Sequence, residues 1–189
     1  MLIGVDLDHT IIDYRSLIYQ EALKKDLIDK NHPQDKNSIK HTLKKRSEEC
    51  WREFQSEIYG KKIGLAHPYL GVETFFSKIS NKDLVIVSHK TKWCYKKRYL
   101  LQEEAKSWLR EQSFFSDHPL FFASSLKEKC QTINEMGCTH FVDDLPEVLE
   151  TLSPSTCKIL FDPKNLHPKN PSYIKCSSWK EIIKSVCDG

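Results

Sequence analysis

The strongest constraint on the fold is a series of short apolar segments that alternate with helical patterns. The segment Leu84–Val87 (LVIV) is built of β-branched residues and leucine, which is typical of a buried strand. The other predicted strands are Met1–Asp6, Leu120–Ala123, His140–Asp143 and Cys157–Phe161. Helical patterns cover Gly71–Ile79, Tyr99–Arg110, Leu126–Met136, Pro146–Leu152 and Trp179–Val186. Short strands that alternate with helices predict an α/β fold, in which a parallel sheet has helices on both faces.

One long segment interrupts this alternation. Residues from about Tyr14 to Lys62 are rich in Lys, Glu, Gln and Leu and contain few turn signals, so they predict helices. Trp51 and Phe54 belong to an apolar stripe with helical spacing, and they are expected to lie in the core between these helices. A chain of 189 residues has room for one core domain and a small insertion. We therefore assign residues 1–13 and 68–189 to the core domain and residues 14–67 to a helical insertion.

The composition excludes several other classes of protein. Hydrophobic residues make up 39% of the chain and charged residues 29%, which is ordinary for a globular protein. No segment approaches the ~20 apolar residues of a membrane span, and we see no secretory signal sequence. The seven cysteines are scattered and form no C-x-x-C pair, so we interpret them as small buried or incidental thiols in a cytoplasmic protein.

Ligands of parallel α/β sheets bind beside the carboxyl ends of the strands, and polar residues gather at those positions here. The candidates are Asp6, Asp8, Thr10, Ser88, His89, Lys90, Lys127, Lys129, Asp143 and Asp144. Taken singly, the acidic residues could cap helices, Ser88 could be a turn residue, and the His89–Lys90 pair could be solvated. Taken together, they provide groups suited to a phosphate and a metal at every one of these strand ends.

This set resembles the motifs of the haloacid dehalogenase superfamily, in the order in which that family has them. Asp6–Thr10 (DLDHT) resembles the first motif, D-x-D-x-T, and Val85–Ser88 resembles the second, a hydrophobic strand that ends in Ser or Thr. Phe141–Asp144 resembles the paired-acid form of the fourth motif. The third motif is a single basic residue. We favour Lys129 because apolar residues follow it at +4 and +7, whereas polar residues follow Lys127 at the same spacings.

The resemblance implies a Rossmann-like core with a small helical cap inserted after the first strand. It further implies Asp6 as the nucleophile, Asp8 as the general acid and base, and Lys129 and Ser88 as groups that stabilise the transferring phosphate. The metal would be Mg²⁺, which prefers oxygen ligands. Its implied ligands are Asp6, the backbone carbonyl of Asp8, and Asp143, and the shell is completed by Asp144 or, as an alternative, by Glu147. Thr10, Ser88, His89 and Lys90 are the predicted substrate-binding residues.

An acid at position 8 is characteristic of the phosphatases and phosphomutases of this superfamily. The predicted function is therefore a Mg²⁺-dependent phosphatase for a small phosphorylated metabolite. The alternatives are a phosphomutase, a 3′-phosphatase of nucleic-acid ends, and a catalytically silent domain that binds a phosphorylated ligand. The net charge of only +3 weakens the nucleic-acid alternative, although the run from Lys92 to Tyr99 interleaves basic and aromatic residues.

Overall fold

The structure is a computed structural model, and it describes residues 1–79 and 83–187. Within this part of the chain there are two compact units. The core unit consists of Met1–Ile12, Pro68–Thr91 and the chain from Arg110 onward. The helical unit consists of Asp13–His67 and Lys92–Leu109.

The core unit is built on a parallel sheet whose strand order reverses direction at the strand that comes first in the sequence. Its strands are β1 (Ile3–Val5), β4 (Leu84–His89), β5 (Leu120–Ala123), β6 (His140–Asp143), β7 (Cys157–Phe161) and β8 (Ile174–Cys176). They form a six-stranded sheet in the order β5-β4-β1-β6-β7-β8. β1 pairs with β4 on one side and with β6 on the other, and both pairings are parallel. The short strands β2 (Ile12–Asp13) and β3 (His67–Pro68) form a separate two-stranded sheet.

Helices follow the strands of the core unit as the alternating pattern predicts. They are α4 (Val72–Lys78), α6 (Leu126–Glu135), α7 (Pro146–Thr151) and α8 (Trp179–Cys187). Fully apolar contacts between α6, α7 and the sheet form one buried cluster, whose members are Val85, Val87, Ile133, Cys138, Phe141, Val148, Leu149, Leu152 and Leu160. This cluster holds α6 and α7 against the strands whose ends carry the predicted site.

The helical unit contains α1 (Arg15–Lys24), α2 (Lys36–Arg46), α3 (Glu48–Tyr59) and α5 (Leu101–Arg110, of which the last residue belongs to the core unit). Asp35 and Ser47 cap the N-termini of α2 and α3 with their side-chain oxygens. Trp51 and Phe54 are buried, at 4% and 3% exposure, and their rings pack against each other. These two residues are therefore core residues of this unit, as predicted.

The sequence predicts residues 92–109 in the core domain, but the structure groups them with the helical unit. Three contacts explain the difference. The indole N–H of Trp108 donates to the carbonyl oxygen of Ala66 at 2.9 Å, and Lys96 pairs with Glu49 and Glu53 at 2.5 and 2.7 Å. The same ion pairs neutralise part of the basic run, which further weakens its interpretation as a nucleic-acid surface.

The α/β class and the parallel sheet are confirmed. β8 has no counterpart in the prediction, because its three residues are too few to produce a clear apolar pattern. Among the helices of residues 1–79 and 83–187, none combines the length and the apolarity that a membrane crossing requires.

Candidate active site

Sheet order explains why residues far apart in the sequence meet at one place. Asp6 directly follows β1, Ser88 lies near the end of β4, and Asp143 is the last residue of β6. Val5 is level with Ile86 of β4 and with Val142 of β6. The carboxyl ends of these three neighbouring strands therefore deliver their polar residues to the same edge of the sheet.

The loop after β1 carries the first motif and turns sharply. The backbone N–H of Ile11 donates to the carbonyl oxygen of Leu7 at 3.0 Å, and His9 adopts a φ of 67°, in the left-handed region that few non-glycine residues adopt. The buried indole N–H of Trp179 donates to the carbonyl oxygen of Thr10 at 3.2 Å and so anchors the loop. Trp179 was not among the predicted site residues, because no local pattern links it to a loop at the other end of the chain.

A buried lysine joins two of the predicted carboxylates. Lys129 Nζ lies 2.6 Å from Asp6 Oδ1 and 2.6 Å from Asp143 Oδ2. The Lys129 side chain is 1% exposed, and those of Asp6 and Asp143 are 6% and 0% exposed. Ser125 caps α6 and places Lys129 in its first turn, whereas Lys127 is exposed to solvent. Of the two candidate lysines, it is therefore Lys129 that shares the site.

Burial and charge act in opposite directions on this trio. The pKa of Asp6 is raised to about 7, because burial and the nearby charge of Asp143 together outweigh the lowering effect of the Lys129 ammonium group. Burial likewise raises the pKa of Asp143. Burial alone lowers the pKa of Lys129, but the two carboxylates outweigh it and the pKa is raised above its usual value. The lysine is therefore a cation held between two carboxyl groups whose charged forms burial disfavours.

A third carboxylate completes a group that is suited to a metal ion. Asp6, Asp143 and Asp144 each offer a carboxylate oxygen, and these oxygens lie within 4.8 Å of one another. Among the described residues, Glu147 is not part of this group, and its side chain is exposed. The backbone N–H of Leu145 donates to Asp143 Oδ1 at 3.0 Å and orients that carboxylate. This geometry favours Asp144 over Glu147 as a ligand.

Two buried hydroxyl groups lie on the same motif segments. Thr10 is fully buried and Ser88 is 1% exposed. Within the described part of the chain, Thr10 Oγ1 and Ser88 Oγ have no hydrogen-bond partner. Buried hydroxyls normally find partners, so two such groups beside a carboxylate cluster indicate a place where polar ligand atoms bind.

The remaining predicted residues differ in exposure. Asp8 is partly buried, with 18% of its side chain exposed, and its Oδ2 lies 2.7 Å from Lys90 Nζ. The Lys90 side chain is 2% exposed, whereas His89 is exposed to solvent. Lys90 therefore belongs to the site interior, and His89 lies at its edge or beyond it.

No protein-family model matches the chain. Two curated proteins are similar along nearly their whole length, and each carries the name "putative nucleotidase". The protein from Oceanobacillus iheyensis is 26% identical over 195 residues, which cover 98% of both chains. The protein from Bacillus cereus is 29% identical over 196 residues, which cover 96% of both chains.

Several solved structures share the fold of this chain at low sequence identity. A dehalogenase matches with a TM-score of 0.64 at 10% identity, over 100% of this chain and 97% of its own. A "putative phosphoglycolate phosphatase" from Lactobacillus plantarum matches with a TM-score of 0.58 at 13% identity, over 97% of each chain. The magnesium-bound structure of a "putative HAD-hydrolase" from Bacillus subtilis matches with a TM-score of 0.55 at 13% identity, over 98% of each chain. The chain therefore has the same fold as hydrolases of the haloacid dehalogenase superfamily.

Proposed function

We propose that the protein is a Mg²⁺-dependent phosphomonoesterase that hydrolyses a small phosphorylated metabolite through an aspartyl-phosphate intermediate on Asp6. The observation that carries this proposal is the bridge from Lys129 to Asp6 and Asp143, with Asp144 in the same group of carboxylates. A carboxylate and a phosphate dianion repel each other. An ammonium group and a divalent cation at one point remove that repulsion and stabilise the charge of the transition state.

The residues present fit a magnesium ion. Asp6, Asp143 and Asp144 would hold it, together with the backbone carbonyl of Asp8, because Mg²⁺ takes oxygen ligands and few protein carboxylates. Burial raises the pKa values of Asp6 and Asp143, and a bound cation would favour the charged forms of both groups. When bound, the ion would withdraw electron density from the phosphoryl oxygens as a Lewis acid.

Asp6 and Asp8 have different tasks in the proposed reaction. A carboxylate oxygen of Asp6 forms a bond to phosphorus while the ester P–O bond breaks, and Asp8 gives its proton to the departing alkoxide. Asp8 then takes a proton from a water molecule as that water attacks the phosphorus. The bond between Asp6 and phosphorus breaks, and inorganic phosphate leaves.

The buried hydroxyls of Thr10 and Ser88 complete the proposed phosphate site. Each is without a partner among the described residues and so keeps a donor for a phosphate oxygen. Lys129 would supply charge to the same group. His89 is exposed and is the weakest of the predicted substrate contacts.

A nucleoside monophosphate is the substrate class that the comparisons favour among small phosphorylated metabolites, because both similar curated proteins are named nucleotidases. In this superfamily, a cap inserted after the first motif selects the substrate, and a cap as small as the one predicted from residues 14–67 favours a small metabolite over a phosphoprotein. The net charge of +3 is low for a protein that binds many nucleic-acid phosphates.

The test is phosphate release with Mg²⁺ from nucleoside monophosphates, sugar phosphates, phosphopeptides and para-nitrophenyl phosphate. We expect release from small substrates, loss of activity with a chelator, and loss in Asp6→Asn. Asp162→Asn is a matched control at another buried carboxylate. Asp162 accepts the backbone N–H groups of Leu166 and His167 and does not pair with Lys129. Full activity in Asp6→Asn, or faster turnover of phosphopeptides than of small substrates, would contradict the proposal. Phosphate transfer without net release would favour the phosphomutase, and binding without turnover would favour the silent domain.

A further inference from the structure

A second lysine of the core unit is buried at the end of β4. The Lys90 side chain is 2% exposed, although the residue before it, His89, is exposed. The backbone N–H of Lys90 donates to the carbonyl oxygen of Ala123 at 2.9 Å, which fixes the residue to the end of β5. Lysine is almost never buried to this extent unless its ammonium group is paired.

The ammonium group of Lys90 lies against the carboxylate of Asp8. The distance from Nζ to Asp8 Oδ2 is 2.7 Å, which is the length of a charge-assisted hydrogen bond. Lys129 lies instead against Asp6 and Asp143. The two buried lysines therefore serve different carboxylates, and Lys90 does not duplicate Lys129.

We propose that Lys90 is a positioning residue whose buried ammonium group donates to Asp8 Oδ2 and so orients Oδ1, the oxygen that carries the proton during transfer. This inference rests on the proposed function, and it replaces the expectation that Lys90 binds substrate directly. The aspartate side chain has two rotatable bonds and therefore several rotamers. A displacement of about 1 Å of a catalytic group can lower the reaction rate about 100-fold. A short ion pair from a lysine that is itself anchored by its backbone removes that freedom.

The proposal predicts a specific pattern of kinetic constants. In Lys90→Met we expect kcat to fall about 10- to 100-fold while KM changes by less than about threefold, because only the proton-transfer geometry is lost. In a protein that already carries Asp8→Asn, the same change should alter kcat by less than about twofold. Lys180→Met is the control for removal of a lysine, since Lys180 is exposed on α8.

A comparison of leaving groups provides a second test. If Lys90 were only structural, its replacement would lower kcat/KM equally for all leaving groups. The value of kcat/KM covers the steps through transfer of the phosphoryl group, in which Asp8 protonates the leaving oxygen. Lys90→Met should therefore lower kcat/KM more for a nucleoside 5′-monophosphate, whose alkoxide needs a proton, than for para-nitrophenyl phosphate. Lys90→Gln keeps a neutral donor and takes the place of Lys90→Met if the methionine variant does not fold.

Each outcome decides the proposal. A rise in KM of about tenfold, or an equal loss of kcat with and without Asp8→Asn, would overturn the positioning role and favour direct phosphate binding. An equal loss of kcat/KM for both leaving groups would also overturn it. Absence of turnover by the wild-type protein contradicts the proposed function itself. If the wild-type protein is active but Lys90→Met lowers kcat equally with and without Asp8→Asn, only the role of Lys90 is contradicted.

Discussion

Lys129 is the residue on which the charges of the site depend. It is almost completely buried, and its two partners are both carboxylates whose pKa values are raised by burial. An ammonium group in this position offsets the repulsion between Asp6 and Asp143 and keeps both close to a common point. The same contact therefore contributes to the stability of the fold and to the chemistry that we propose.

Replacement of Lys129 by methionine should impair both the stability of the fold and the phosphatase activity. We expect Lys129→Met to lower the free energy of unfolding by about 3–5 kcal/mol in the absence of metal, because two buried carboxylates lose their partner, and to abolish phosphate release. Denaturant unfolding and the phosphatase assay measure the two effects. Lys127→Met is the matched control on the same helix and should change stability by less than about 0.5 kcal/mol. Equal effects of the two substitutions would refute the central role of Lys129.

The burial of His118 predicts a pH dependence of stability that does not involve the active site. It is buried beside Phe76 and Phe115, its Nδ1 accepts the backbone N–H of Ser116 at 3.2 Å, and burial lowers its pKa. Since the folded state favours the neutral ring, this stabilisation is present above the unfolded pKa of about 6.5 and is lost as the pH falls through the lower folded value.

We therefore expect His118→Asn, whose amide oxygen can replace Nδ1 as an acceptor, to lose less stability between pH 7.5 and pH 5 than the wild-type protein. Denaturant unfolding at the two pH values measures the difference. His41→Asn, at an exposed histidine of α2, should show the wild-type dependence. An unchanged dependence in His118→Asn would show that other groups control the acid sensitivity.

At the scale of elements, the ring of Phe141 on β6 occupies the space that a side chain at Gly4 on β1 would need. A Cβ atom at Gly4 would lie 2.3 Å from Cδ2 of the Phe141 ring, well inside any allowed contact. These two strands end at Asp6 and Asp143. The Phe141 ring therefore packs on the two strands that deliver these carboxylates.

Gly4→Ala should consequently destabilise the protein and also disturb the site. We expect a loss of about 1–3 kcal/mol in the free energy of unfolding and a fall in kcat, because β1 must shift relative to β6. Gly64→Ala is the matched control, since an added Cβ there has no neighbour within 4 Å among the described residues. A Gly4→Ala protein with wild-type stability would mean that the Phe141 ring moves aside without cost.

The elements also show which parts of the fold are readable from sequence. Leu120–Ala123, His140–Asp143 and Cys157–Phe161 have the predicted bounds, because each combines apolar residues with clear flanking turns. The strand Ile174–Cys176 lacks such a pattern. The membership of residues 92–109 in the helical unit depends on contacts such as that of Trp108 with Ala66, and no local spacing encodes a contact over 42 residues.

At the scale of the whole molecule, sheet topology brings the motifs together. The sequence predicts Asp6, Ser88, Lys129 and Asp143 as site residues from their types and their order. Their convergence follows from β1 lying between β4 and β6. The anchoring of the first motif by Trp179 and the ion pair between Lys90 and Asp8 were not predictable, because both depend on side chains that meet only in the folded protein.

Metal binding should stabilise the whole core unit by mass action. At about 100 times the dissociation constant, Mg²⁺ should contribute about 2.7 kcal/mol and raise the Tm by several degrees. Asp144→Asn should reduce this rise, and Glu147→Gln should leave it unchanged, because only Asp144 shares the carboxylate group with Asp6 and Asp143. Thermal unfolding with and without Mg²⁺ measures the shift. The opposite result for the two variants would assign the ligand to Glu147.

The most direct test of the account is identification of the residue that becomes phosphorylated during turnover. Borohydride reduces a phosphorylated aspartate to homoserine, and peptide mass spectrometry then locates the changed residue. The account predicts this conversion at position 6, dependent on Mg²⁺ and substrate, and absent in Asp6→Asn. Conversion at another aspartate, or substrate turnover that continues in Asp6→Asn, would contradict it.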